Sequence, residues 1–187
     1  MAEFVAWARA QGDKGVNWAT AGVGSTPHFV AEMIKESTGI SLNIVPYRSG
    51  NDSVTAVLSN SVPATSEASI VVLPQMQAGL LKPIATTYEK RISAYPSLMT
   101  TAEQGFPSIQ IGHWAGLFAP RDTPQPIIQR MNAELQMALK TAEVRDKLAP
   151  SGIETAGGSV ADFVAFITSE RQRLGALAAK AKMGEGQ

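Results

Sequence analysis

The residues best suited to chemistry lie early in the chain, in Ala21-Gly22-Val23-Gly24-Ser25-Thr26-Pro27-His28. Two glycines in a turn, then a hydroxyl pair, then proline, mark a strand–turn–helix junction, with Ser25 or Thr26 as the helix cap and Pro27 at its first position. Such a junction aims unpaired backbone N–H groups at one spot, with the positive end of the helix dipole behind them. The chemistry it offers is anion binding by backbone. The loop does not fit a nucleotide: no lysine precedes the hydroxyl residues, and the third glycine of the dinucleotide fingerprint is absent. Ser25 and His28 invite a nucleophile–base reading. They lack a third group to orient the base and a Gly-x-Ser-x-Gly elbow, so no catalytic residue is assigned. His28 is expected instead to pack or to hydrogen-bond near a ligand.

Two more polar residues follow predicted strands. Arg48, after Val45-Pro46-Tyr47, reads either as a partner for a ligand carboxylate or as a solvated loop charge. Glu67, flanked by Ser66, Ala68 and Ser69, reads either as an acceptor for a ligand hydroxyl, amine or bound water, or as an acid favouring the start of the next helix. His113 and Trp114 sit in an apolar run and are expected to be core residues. Two histidines, no cysteine and scattered carboxylates offer no metal-ligand spacing and no disulfide, and no cofactor is implied.

The elements that must position these groups follow from hydrophobic periodicity. Strands are predicted over residues 16–20, 40–45, 62–67 and 82–87, with the longest over 109–118. Helices are predicted over 3–11, 27–38, 69–78 and a short one capped by Asp52 or Ser53 and running to residue 58. A single helical turn is expected over 100–104. Further on, Thr123 is expected to cap a long helix begun by Pro124, followed by one through Val144 and Leu148. A last helix opened by Gly157-Gly158-Ser159 carries Phe163, Phe166, Ile167 and Leu174 as its apolar stripe. Strands and helices alternate as far as residue 87, which predicts an α/β unit with a mostly parallel sheet flanked by helices, followed by a helical C-terminal segment. In such sheets ligands sit beyond the carboxyl ends of the strands, where the glycine loop, Arg48 and Glu67 all fall.

Composition sets the outer bounds. The 187 residues are 44% hydrophobic and 17% charged, enough apolar content for a packed core. Sixteen basic residues balance sixteen acidic ones, and this argues against a nucleic-acid partner. No apolar run reaches the roughly 18–20 residues of a membrane span. No signal peptide is visible at the start, so the expectation is a cytosolic protein or one whose natural start is missing.

At these residues a resemblance enters. Thr20-Ala21-Gly22-Val23-Gly24-Ser25, Val45-Pro46-Tyr47-Arg48, Gln77-Ala78-Gly79-Leu80-Leu81-Lys82-Pro83-Ile84-Ala85 and Ala102-Glu103-Gln104-Gly105-Phe106-Pro107 occur in one order and spacing. Trp114-Ala115-Gly116-Leu117-Phe118-Ala119-Pro120 with Thr123-Pro124, and Gly157-Gly158-Ser159 before Phe163, continue the series. Together they resemble the substrate-binding receptors of tripartite tricarboxylate transporters, the Bordetella uptake gene family. The resemblance implies a periplasmic-binding-protein-like fold and a periplasmic location. It also implies a small carboxylate as ligand, membrane permease subunits as partners, and no enzymatic activity. Ala21, Gly22, Val23, Gly24, Ser25, Thr26, His28, Arg48 and Glu67 are its ligand-binding candidates. Glu67 stands where the family typically places an aspartate after an aromatic residue, here Ser66, and Pro63 replaces another usual acid. The resemblance implies that residues 1–112 form the second, ligand-cleft domain. Residues 113–187 then return to a first domain whose N-terminal part is absent. The apolar stripes of that return segment would be buried by folding back or by homodimerisation through exposed C-terminal helices. The alternative is an interaction or regulatory module of the same fold with no role in transport.

Overall fold

The structure, a computed structural model, describes residues 1–183. Its centre is a strand, β1 (Val16–Thr20), whose alternation buries Val16 and Trp18 on one face and Ala19 on the other, with Asn17 exposed. It pairs in parallel with β2 (Leu42–Pro46) from Val16↔Leu42 to Thr20↔Pro46. On its other side it pairs in parallel with β3 (Ala64–Thr65), Trp18 opposite Ala64 and Ala19 opposite Thr65. The strand order is therefore β2-β1-β3. Pro63, which has no N–H to give to a ladder, stands just before the short edge strand β3.

Helices α1 (Ala2–Ala10) and α2 (Thr26–Thr38) cover one face. Val5, Ala8, Val30, Ala31, Met33 and Ile34 pack there with Val16 and Trp18. Helix α3 (Gly50–Leu58) covers the other face, where Ala56 packs with Ala19 and Val62. The split follows from topology. The crossover β1–α2–β2 leads one way from β1, the crossover β2–α3–β3 leads back past it, and right-handed connections then place their helices on opposite faces. At the carboxyl end of the sheet, the chain leaves β1 and β3 toward opposite faces and opens a crevice between them. That is the topological switch point. Helix α4 (Ser69–Gln77) follows β3 and packs on the α3 side.

The parallel sheet flanked by helices is the predicted α/β arrangement, with local corrections. Residues 82–87 contribute one bridge, Thr86 to Thr100, and no strand. The run over 109–118 is irregular. Ile109 and Ile111 are buried, and the Ile111 N–H donates to the Thr87 carbonyl oxygen at 2.9 Å. Beyond that point the run turns outward and finds no strand to pair with among the described residues, which leaves His113 exposed and Trp114 at 40% exposure. Neither is the core residue expected. Trp114 rests edge-to-face on Phe163 and Phe166 instead. Ser49, not Asp52 or Ser53, caps α3 by accepting from the Asp52 N–H.

The C-terminal part holds α5 (Gln125–Lys140), α6 (Ala142–Leu148) and α7 (Val160–Lys180). Pro124 sits at the cap position of α5, so the expected Thr123 cap does not form. Ser159 and Asp162 close a capping box on α7. Leu174 and Leu177 pack against the main core, and Arg173 donates to the Gln110 carbonyl oxygen. None of the residues in these three helices is fully buried.

Candidate functional site

The glycine loop leaves β1 and turns at Gly22 (φ +110°) and Gly24 (φ +76°), conformations that side chains with a Cβ rarely adopt. Ser25 occupies the cap position of α2, but its hydroxyl donates to the Gly22 carbonyl oxygen at 2.6 Å and accepts nothing from the helix. The cap predicted from sequence is thus a loop-closing bond. Two loop amides are used internally: Ser25 N–H donates to the Gly22 oxygen, and Gly24 N–H to His28 Nδ1 at 3.3 Å. Among the described residues the N–H groups of Gly22, Val23 and Thr26 find no acceptor. They sit at the positive end of a 13-residue helix, and Val23 and Gly24 are exposed.

His28 is buried and holds the loop through that bond. Because Nδ1 accepts, the ring proton stands on Nε2, which faces Glu32 at 3.9 Å. Burial lowers the imidazole's pKa from its ordinary value, while Glu32 pulls the other way. Ser25 and His28 bond to separate backbone groups and not to each other, so the structure assembles no serine–histidine pair.

Glu67 follows β3 across the crevice. It caps nothing: Ala68 holds the cap position of α4. The carboxylate turns instead toward α3, where Oε1 accepts from Ser53 Oγ at 2.6 Å. Ser53 is fully buried, and its single hydroxyl proton also has the Gly50 carbonyl oxygen within reach at 2.9 Å, as a competing acceptor to Glu67. A Cβ on Gly50 would stand 2.6 Å from Glu67 Oε2, so only glycine lets the carboxylate lie over the start of α3. Ser66 Oγ lies 3.5 Å from the Pro27 carbonyl oxygen, which brings the β3 loop beside the first turn of α2.

Burial raises the Glu67 pKa above its ordinary value of 4.5, partly offset by the Ser53 hydrogen bond. Folding therefore favours the protonated form. That stability is fully present below about pH 4.5 and is lost as pH rises through the raised, folded-state value. Glu67→Gln keeps an acceptor for Ser53 and removes the charge. It should melt higher than the parent at neutral pH and level with it in acid. A melting difference that does not shrink on acidification would contradict this account.

Residues 21–26 and His28 follow β1 and Glu67 follows the adjacent strand β3, so the sheet topology puts them at the same carboxyl edge. The structure places Arg48 elsewhere. Arg48 is exposed on the outer edge, where it lines an open groove with Tyr47, Asp52, Thr55, Ser59 and Ser61, and none of the loop residues borders that groove. Sequence reasoning missed Gly50 and took Ser53 only as a possible helix cap. Their role depends on a contact 14 residues away that local spacing does not reveal. It also missed Thr20, the last residue of β1. Its hydroxyl is fully buried just before the loop and has no hydrogen-bond partner among the described residues. No group of three or more potential metal ligands occurs among the described residues, and no described helix is long and apolar enough to cross a membrane.

The model of the tripartite tricarboxylate transporter family receptor matches residues 1–183. The chain is 28% identical over 159 residues to a UPF0065 protein of the tcbD-tcbE intergenic region of Pseudomonas sp. strain P51, covering 84% of this chain and 47% of that protein. It is also 28% identical over 158 residues to protein BugT of Bordetella pertussis, covering 84% and 48%. It thus spans about half the length of the curated relatives it matches. Among solved structures it is similar to R. palustris Rpa4515 with adipate (TM-score 0.89, 28% identity, 98% of this chain and 61% of that one). MatC from Rhodopseudomonas palustris with bound malate superposes with a TM-score of 0.83 at 25% identity, over 95% of this chain and 61% of that one.

Proposed function

The chain belongs to the tripartite tricarboxylate transporter receptor family, and from that premise we propose that it serves as a periplasmic solute receptor that binds a small carboxylate and delivers it to membrane permease subunits. The observation that carries this reading is the set of unpaired amides of Gly22, Val23 and Thr26 at the switch point, backed by the α2 dipole. In this reading Ala21, Gly22, Val23, Gly24, Ser25 and Thr26 cradle the carboxylate. His28 holds the loop in shape and Glu67 flanks it from the end of β3, while Arg48, on the outer groove, is left out of the site. The adipate and malate in the two neighbouring structures favour the same ligand class.

We further assign residues 1–112 to a ligand-cleft domain and residues 113–187 to a segment that packs on a first domain. That domain corresponds to the part of the relatives outside the match and supplies the facing wall of the cleft. The energetics agree. A helix end contributes roughly 0.3–1 kcal/mol when exposed and up to about 2 when partly buried. A micromolar ligand needs about −8.2 kcal/mol. One loop therefore binds weakly, and the facing wall contributes most of the affinity.

The test is a titration of the ¹⁵N-labelled chain with small dicarboxylates, followed by amide shifts. Gly22, Val23, Gly24 and Thr26 should move in the millimolar range while core amides such as Ile34 stay put. Gly24→Ala forces a Cβ into a left-handed conformation costing about 1–2 kcal/mol, and should abolish the shifts without unfolding the chain. Loop amides that ignore every carboxylate would refute the reading. The alternative, an interaction module of the same fold, draws on the exposed apolar groups of the C-terminal helices, and its signature is a stable dimer with a closed crevice.

A further inference from the structure

Glu67 is an unusual neighbour for a carboxylate site. It stands across the switch point from the amide loop, on the strand adjacent to β1, and parallel neighbours lie about 4.8 Å apart. It carries the same charge as the ligand class inferred above. Yet the fold accommodates it with care: a fully buried serine binds Oε1, and a glycine makes room for Oε2. The carboxylate caps no helix and pairs with no cation among the described residues. Among those residues no donor reaches Oε2. Oε2 is thus held in place yet open to solvent, free to exchange a water for a donor that a ligand brings. Repulsion by Glu67 would also penalise any acid that offers none.

We propose that Glu67 sets the specificity of the crevice, selecting carboxylic acids that carry a hydroxyl or an ammonium on the carbon next to the carboxylate over unsubstituted ones. The proposal rests on the carboxylate-receptor reading. With the ligand carboxylate on the loop amides, a donor on the adjoining carbon lies two bonds from the carboxylate carbon, the part of the ligand able to extend from the loop toward the end of the neighbouring strand β3, where Glu67 stands. The positive end of α3 beside Gly50 keeps Glu67 in place when the ligand is absent.

Succinate, malate and aspartate share one four-carbon dicarboxylate frame and differ at that position by hydrogen, hydroxyl and ammonium. Each is titrated into the ¹⁵N-labelled full chain and into Glu67→Gln, with Gly22, Val23, Thr26 and Ser53 as reporters. A hydrogen bond to a charged group corresponds to a preference of about ten- to a hundredfold, so malate and aspartate should bind that much more tightly than succinate. In Glu67→Gln the three should converge to within about threefold. Gly50→Ala, which keeps the acid but displaces Oε2, should weaken the preference too, with a melting curve confirming that it is folded. A preference for malate alone, or for aspartate alone, identifies the donor as hydroxyl or ammonium. If all three acids move the loop amides equally, or the preference survives in Glu67→Gln, the specificity role is overturned and the receptor reading stands. If no acid moves the loop amides, both are overturned.

Discussion

Ile109→Ala should destabilise the protein by about 2–5 kcal/mol and lower its melting temperature by roughly 10 °C. Ile109 has no exposed surface, although it lies in no regular element. Its side chain packs into the main core with Ile34, Ile40 and Leu42, and its carbonyl oxygen accepts from the buried Thr101 hydroxyl. The irregular chain around it cannot easily shift to fill the void, since the Ile111 N–H is tied to Thr87 two residues on. A loss of this size is a large share of the roughly 5–15 kcal/mol of stability typical of a domain. Leu117→Ala, in the same run but 65% exposed, should change stability by less than about 0.5 kcal/mol. Urea or thermal unfolding of both variants tests the pair, and equal effects would show that Ile109 does not anchor the segment.

The second large effect concerns association. Phe118 is 71% exposed, and Phe166, Ile127, Met131 and Val164 are also exposed on the C-terminal helices and the segment leading to them. Phe118 touches Phe163, which stacks with Phe166, so the aromatic groups form one patch. Exposed patches of this kind mark surfaces that pack on something. We expect the described chain to self-associate at micromolar concentrations, with light scattering after size exclusion showing a mass that rises with loading. Burying a large apolar side chain contributes about 1.5–3 kcal/mol, so Phe118→Ser with Phe166→Ser should weaken the association at least about a hundredfold. A chain that stays monomeric at every loading, with or without the substitutions, would rule the patch out as a contact surface. A dimer indifferent to them would place the contact elsewhere.

Part of this molecule is legible residue by residue. The periodicity of Phe29, Val30, Met33 and Ile34 announces α2, and its stop at Gly39 is the left-handed residue that ends the helix. The Gly22 and Gly24 spacing announces the loop, because only such residues make the turn without strain. The run over 109–118 was misread because apolar content signals burial and strand alike. Whether a partner strand stands beside it is not a local property. The same holds for the hydroxyl of Ser25, which sits at the cap position but donates to the Gly22 carbonyl oxygen and takes no helix N–H.

By itself the chain's order of residues determined the amide-lined turn, from the local spacing of Gly22 to Thr26, the α/β class, from the alternation of strand and helix patterns, and the family resemblance, from the order of short motifs along the chain. The tertiary structure alone decided that Glu67 turns to Ser53 and Gly50, that Arg48 faces an outer groove away from the loop, and that the C-terminal helices leave apolar groups in solvent. Those outcomes depend on which strand lies next to which, and on which face each crossover takes. Such long-range choices are made by the packing of the whole sheet, and no short stretch of residues encodes them.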